Sequence, residues 1–241
     1  MSAARGPFAT DLDKYYAIAL GGKRGLRSRA GLWLLNSDFQ CVASFRYGQA
    51  ARALYARNKL LGLLPLLVSM LWRHHVSTVH HVHIDRRAHI GPGFFIMHRN
   101  GLFLGPISIG QNCVLHHNVT IGQRVAAGSH GVPRLGDNVW VGPGSTIYGD
   151  ITVGDNVTIS AGTVLSKSVP DGSLVAGNPG RIIQRDYDNG SIINFTMPRT
   201  QDAPSGTGGP GSVASQVQLP APLSAAAPAD REGEPGVSNG A

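Results

Sequence analysis

At 241 residues with 42% hydrophobic content, the chain is long enough for one or two domains with a buried core. Its 32 glycines, with aromatics at 7% and charged residues at 15%, favour many short strands and tight corners over a helical bundle. The net charge of +7 would suit nucleic acid, an anionic membrane or a polyphosphate. The basic residues form no run and match no nucleic-acid motif, so no nucleic-acid partner is expected.

Residues 1–78 read as a helical region whose first segment, charged and polar, lacks the apolar core of a signal peptide. Asp38 is the expected N-cap of a helix in which Phe39, Val42, Phe45, Ala50, Ala53 and Leu54 recur at helical spacing. Leu60 to Trp72 is strongly apolar but too short to span a bilayer, with Pro65 in its middle. It is expected to be a buried or subunit-contact helix, with peripheral membrane contact through 60–72 as the alternative. Cys41 and Cys113 lack CxxC spacing, which supports neither a zinc knuckle nor a disulfide framework and fits a reducing, cytoplasmic setting. His74, His75, His80, His81 and His83 have no acid or thiol to complete a ligand set, so they are read as structural or surface residues and no metal is expected.

From residue 79 to 187 the sequence becomes periodic. An aliphatic residue returns every sixth position at Ile84, Ile90, Ile96 and Leu102, then at Ile109, Leu115 and Ile121 after one inserted residue. After a longer break it returns at Leu135, Val141, Ile147, Val153, Ile159 and Leu165. Glycine follows several of these, and Asp-Asn or Gln-Asn pairs fill the next places in IGQN, LGDN and VGDN. A strand and a corner repeated three times close one triangular coil, with the aliphatic residues stacked inside it and Gly or Asn at the corners. The stretch Gln123 to Arg134 interrupts the period and is expected to project as a loop (123–134). Residues 188–241, rich in Pro, Gly, Ala and Ser beyond Thr200, are expected to form a disordered tail.

At these repeats the chain resembles the hexapeptide-repeat acyltransferase superfamily. The stretch HIDRRAHIGPGFFIMHRNGLFLG with VTIG is similar to its serine acetyltransferase branch, which includes exopolysaccharide and colanic acid-type acetyltransferases. VAGNPGRII resembles the superfamily's closing pattern, with Gly180 in place of the usual alanine. The resemblance implies a mainly β fold, a left-handed parallel β-helix preceded by the helical region. It also implies acetyl-CoA as co-substrate and a homotrimer or dimer of trimers.

Acetyl transfer to an alcohol needs a general base, and histidine suits the task. In the branch the base lies in a segment that IGPGFFIMHRNG matches, which makes His98 the first candidate. His117 stands two places after Leu115 as His98 does after Ile96, so the two should share one column about 4.8 Å apart, although the chemistry requires only one base. The family's acid before the base is replaced by Met97, and the acid that orients it by His83, leaving Asp85 as a stand-in. In the family's extended loop a histidine directly precedes a proline. Here that place is Val132, with His130 two residues earlier.

Arg99, Gln123 and His130 are the candidate acceptor-binding residues. Along the later coils Gly142, Ala161 and Gly162 would admit the pantetheine arm, with Lys167, Arg181 and Arg185 as cations for the phosphates. The missing acids are those expected to meet a serine ammonium. The acceptor is therefore expected to be a neutral hydroxyl, such as a sugar's, with serine O-acetylation as the alternative and an inactive β-helix assembly subunit as the third reading.

Overall fold

The computed structural model describes residues 6–124 and 131–197. Four helices come first: α1 (Pro7–Ala19), α2 (Leu26–Leu35), α3 (Ser37–Arg57) and α4 (Lys59–Val79). The cap of α3 is Asn36, whose side chain accepts from the amide of Phe39, and Asn58 does the same for Leu61 at the start of α4. Asp38 is therefore not the N-cap expected from the sequence, which leaves its carboxylate available elsewhere. The periodic run from Phe39 to Leu64 is two helices broken at Asn58.

Fifteen short strands follow: β1 (Val82–Ile84), β2 (His89–Ile90), β3 (Phe95–Met97), β4 (Leu102–Leu104), β5 (Ser108–Ile109), β6 (Val114–His116), β7 (Thr120–Gly122), β8 (Arg134–Leu135), β9 (Trp140–Val141), β10 (Thr146–Tyr148), β11 (Thr152–Val153), β12 (Thr158–Ile159), β13 (Val164–Leu165), β14 (Leu174–Ala176) and β15 (Arg181–Gln184). They form the three faces of a parallel β-helix. The first face is β1-β4-β7-β10-β13, the second β2-β5-β8-β11, and the third β3-β6-β9-β12-β14 closed by an antiparallel β15.

Inside, the aliphatic residues stack in columns: Ile90–Ile109–Leu135–Val153 under the second face and Ile96–Leu115–Val141–Ile159–Val175 under the third. The column under the first face is Ile84–Leu104–Ile121–Ile147–Leu165. The six-residue count assigned Leu102 to this column. It pairs with Val82 instead, because the corner between Met97 and Phe103 has two more residues than the one below it, from His116 to Thr120. At other corners Asn112, Asn138 and Asn156 hold positive φ and link side chain to side chain, a conformation asparagine tolerates better than most residues.

The helical region closes the first end of this prism. Strand β3 is an edge, and the hydroxyl of Tyr15 donates to the carbonyl of Ile96 and accepts from its amide, satisfying backbone groups that water would otherwise have to reach. The Asp11–Arg46 pair, 2.7 Å apart and buried, reaches the amide of Phe94 through Asp11 and the carbonyls of Ile90 and Gly91 through Arg46. Lys14, pushed down to about 7 by burial, donates to the carbonyls of Gly93 and Asn112 and to the side chain of Asn112.

Residues 188–197 depart from the tail expected from Asp188 onward. Helix α5 (Gly190–Ile193) buries Ile193, Asn189 donates to the carbonyl of Asn138, and Asn112 donates to that of Phe195. The remainder of the expected tail and the tip of the 123–134 loop lie outside the described residues.

Candidate active site

The third-face strands β3, β6, β9 and β12 each turn into the next first-face strand at one edge of the prism. His98 follows β3 there, His117 follows β6, Gly142 follows β9, and Ala161 and Gly162 lie beyond β12. The pairing of Ile96 with Leu115 puts His98 over His117, and their ring centroids are 6.2 Å apart at 69°. The column read from the sequence is present. His116 completes a triangle, 6.3 Å from His98 and 6.5 Å from His117, with its ring edge-on to Trp140 at 4.8 Å.

Burial, followed by the charges that His98 and His117 can carry, lowers His116 to about 4. It is therefore neutral at neutral pH and adds no fixed cation beside His98. The Nε2 of His116 and the Nδ1 of His117 are buried without a hydrogen-bond partner among the described residues. Such orphaned polar atoms are uncommon and tend to mark places where a ligand or water binds. The column count singled out residues two places beyond each aliphatic position and so passed over His116. The adjacent HH pair was the signal available.

His98 is exposed and adopts φ 57, a conformation costly for a residue with a Cβ. The lengthened corner is pinned from the helical side. One oxygen of Asp38 accepts the amide of His98 at 3.2 Å and the other accepts the amide of Arg99 at 2.9 Å. The Arg99 guanidinium lies 3.5 Å from Asp38 and donates from Nε to Nδ1 of His80 at 3.2 Å. Burial first, then the neighbouring Arg99 charge, lowers the pKa of His80 and keeps its nitrogen available as an acceptor. Arg99, expected to bind acceptor, is thus occupied in holding the corner. Asp38 was missed as a site residue because its place before an apolar helix reads as a cap.

Asp85 does not orient His98. It lies at the corner between the first and second faces, and its carboxylate accepts from the amide of Arg87 at 2.8 Å and from the Arg87 guanidinium at 3.1 Å, which lowers its pKa. His83, at the position of the family's orienting acid, stacks on Phe103 at 5.2 Å and 7°. Among the described residues no carboxylate bonds the His98 ring. Gln123 is exposed just after β7, Val132 packs partly buried against the core, and His130 lies outside the described residues.

Further along the same edge the backbones come close. A Cβ on Gly142 would meet the amide nitrogen of Ala161 at 2.6 Å, and Gly162 adopts φ 69. At the end of the prism Lys167, from the corner between the first and second faces, and Arg181 of β15 line a cleft of about 300 Å³ with Pro179 and Gly180. Two cations beside a narrow apolar wall suit a phosphate-bearing thioester. Arg185 is exposed beyond β15, outside the lining of that cleft.

A family model described as "Bacterial transferase hexapeptide (six repeats)" matches residues 133–167. Serine acetyltransferase of Synechococcus elongatus is 37% identical over 134 residues, 54% of this chain and 51% of that one. The chloroplastic serine acetyltransferase 1 of Arabidopsis thaliana is 36% identical over 118 residues, 48% of this chain and 38% of that one. In its hexapeptide-repeat region the chain is similar to serine acetyltransferases.

Among solved structures, a serine acetyltransferase from Brucella abortus in complex with coenzyme A superposes with TM-score 0.60 at 27% identity, covering 74% of this chain and 67% of that one. The chain spans about half or less of the length of the curated relatives just named.

Proposed function

We propose that the chain is an acetyl-CoA-dependent O-acetyltransferase in which His98 is the general base. The observation that carries the reading is the shared prism edge. An exposed imidazole, a second imidazole beneath it, and a close-packed run at Gly142 and Ala161 follow one another down it. A thioester lying along this edge with its phosphates towards Lys167 and Arg181 would bring its carbonyl up to His98. The acceptor hydroxyl then loses its proton to the imidazole of His98 as its oxygen attacks the thioester carbon. The tetrahedral intermediate collapses with cleavage of the carbon–sulfur bond, and the departing thiolate recovers the proton from the imidazolium. A positioned base of this kind contributes about 10²- to 10⁴-fold.

For the acceptor, the likeness supports L-serine, the activity named for both relatives and for the Brucella structure, over the saccharide expected from the sequence. One observation favours a neutral hydroxyl as a second reading. The positions of the family's acids hold Met97 and a His83 engaged with Phe103, and neither offers an anion to an ammonium group. The trimer or dimer of trimers that the resemblance implies belongs with this reading, since a neighbouring subunit would then complete a site that lies open on a prism edge.

The test is coenzyme A thiol release from acetyl-CoA with L-serine or with neutral monosaccharides as acceptors. Turnover with L-serine that falls about 10²- to 10⁴-fold in His98→Ala supports the proposal. Turnover only with sugars moves the acceptor to the second reading. Full activity in His98→Ala removes the base assignment, and neither turnover nor coenzyme A binding leaves an assembly subunit.

A further inference from the structure

Helix α4 is packed inside out. Its buried residues, Gly62, Ser69 and Val76, recur every seventh position and include the smallest side chains on the helix. They allow a close approach to α3, where a Cβ on Gly62 would run into the backbone of Tyr55. The leucines point the other way. Leu60, Leu64, Leu67 and Leu71 form one row at helical spacing and are 85%, 70%, 48% and 72% exposed, with Leu61 and Val68 in the row beside them at 65% and 42%. A helix that serves only its own fold turns its largest apolar side chains inward. A contiguous exposed row of this size marks a contact with something else.

The charges around it indicate the partner. No Asp or Glu occurs between Asp38 and Asp85, and of the basic residues in that stretch Arg57 and Lys59 flank the start of α4, while Arg46 is paired with the buried Asp11. Arg57 and Lys59 are exposed at one end of the leucine row, whereas Arg73 turns inward and lines a small cavity with Ser69 and Gly48. Trp72 continues the second row and, with Trp33 of α2, lines an apolar groove of about 450 Å³. No helix among the described residues is long and apolar enough to cross a membrane.

Two copies of this face packed in parallel would set Arg57 and Lys59 against the same cations, with no acid on α4 to offset them. An anionic bilayer surface complements both features. Its headgroups meet the basic end, its acyl boundary takes the leucines, and indole rings are favoured at that depth. We propose that α4 lies in the plane of an anionic lipid surface, buried along the Leu60–Leu71 row and held by Arg57 and Lys59. This docking is separate from the His98 edge and does not depend on its activity.

The experiment is flotation of the full chain with vesicles of phosphatidylcholine alone or in equimolar mixture with phosphatidylglycerol. Molar mass is measured in parallel by light scattering. The chain is expected to float with the anionic vesicles, more weakly with the neutral ones and less at high salt. The double variant Leu64→Glu/Leu67→Glu is expected to lower partitioning on the order of tenfold or more with an unchanged thermal midpoint. The pair Arg57→Gln/Lys59→Gln should lose most of the preference for anionic lipid. Failure to float with anionic vesicles, or floating that neither pair alters, overturns the proposal. A fall in molar mass in the leucine variant also overturns it, because that assigns the face to a second copy of the chain.

Discussion

The carboxylate of Asp38, at the start of α3, accepts the backbone amide of His98 sixty positions later at 3.2 Å. With its other oxygen on the amide of Arg99, it holds His98 in a conformation that the corner would not keep by itself. Asp38→Ala is therefore expected to lower kcat by about 10- to 100-fold, the scale of misplacing a reacting group by roughly an ångström. KM for acetyl-CoA should be little changed. Asp38→Asn, which retains one acceptor oxygen, should recover part of the loss. Steady-state kinetics on the three forms checks this, and equal rates would remove Asp38 from the site.

The triangle of histidines gives stability a pH dependence of known sign. His116 is held at about 4 in the folded chain, below the usual value near 6.5. Between these two pH values the unfolded chain binds the proton more readily, so stability falls as pH drops from about 6.5 towards 4. Replacing it by Gln should flatten that part of the profile. The thermal midpoint across this pH window is the measurement, and a His116→Gln profile parallel to the original would show that another group is responsible.

Gly142 is where the prism edge is narrowest. Gly142→Val would press a branched side chain against the backbone of Ala161, forcing the third and fourth coils apart. The expected result is a lower thermal midpoint together with a raised KM for acetyl-CoA, with L-serine KM moving less. Isothermal titration with coenzyme A separates the two effects.

Arg46 is the sole guanidinium paired with Asp11 among the described residues, and both side chains are almost fully buried. Arg46→Leu leaves a carboxylate without its charge partner and two carbonyls without donors, which is expected to destabilise by about 3–5 kcal/mol. The double replacement Asp11→Leu/Arg46→Leu should lose less than the single, because it leaves no buried charge unpaired. Urea denaturation of the three forms decides it.

The prism was legible because its physics repeats. Twelve of the thirteen aliphatic positions counted from the sequence stand in the interior columns, and Leu102 failed only because a period cannot reveal that one corner is two residues longer than the next. His98 and His117 were legible from the same register. Asp38 was not, since its contact with His98 joins distant parts of the chain and a first-turn acid before an apolar helix carries its own local explanation. Asp85 was misread for the converse reason. Closeness in sequence to His83 suggested closeness to His98, whereas the prism sends the two to different edges. The outward face of α4 was hidden because an apolar run shows how hydrophobic a helix is without showing which side its small residues claim.

The lengthened corner at His98 to Gly101 leaves the pairing of the strands on either side undisturbed. A stack of coils thus separates what must stay constant from what can vary. The inward positions of the faces tolerate only side chains that fill the prism, while an edge can gain or lose residues and the next strand still finds its partner. On the proposed function, a change of acceptor needs only a few residues rewritten at one edge, with the rest of the stack left as it is.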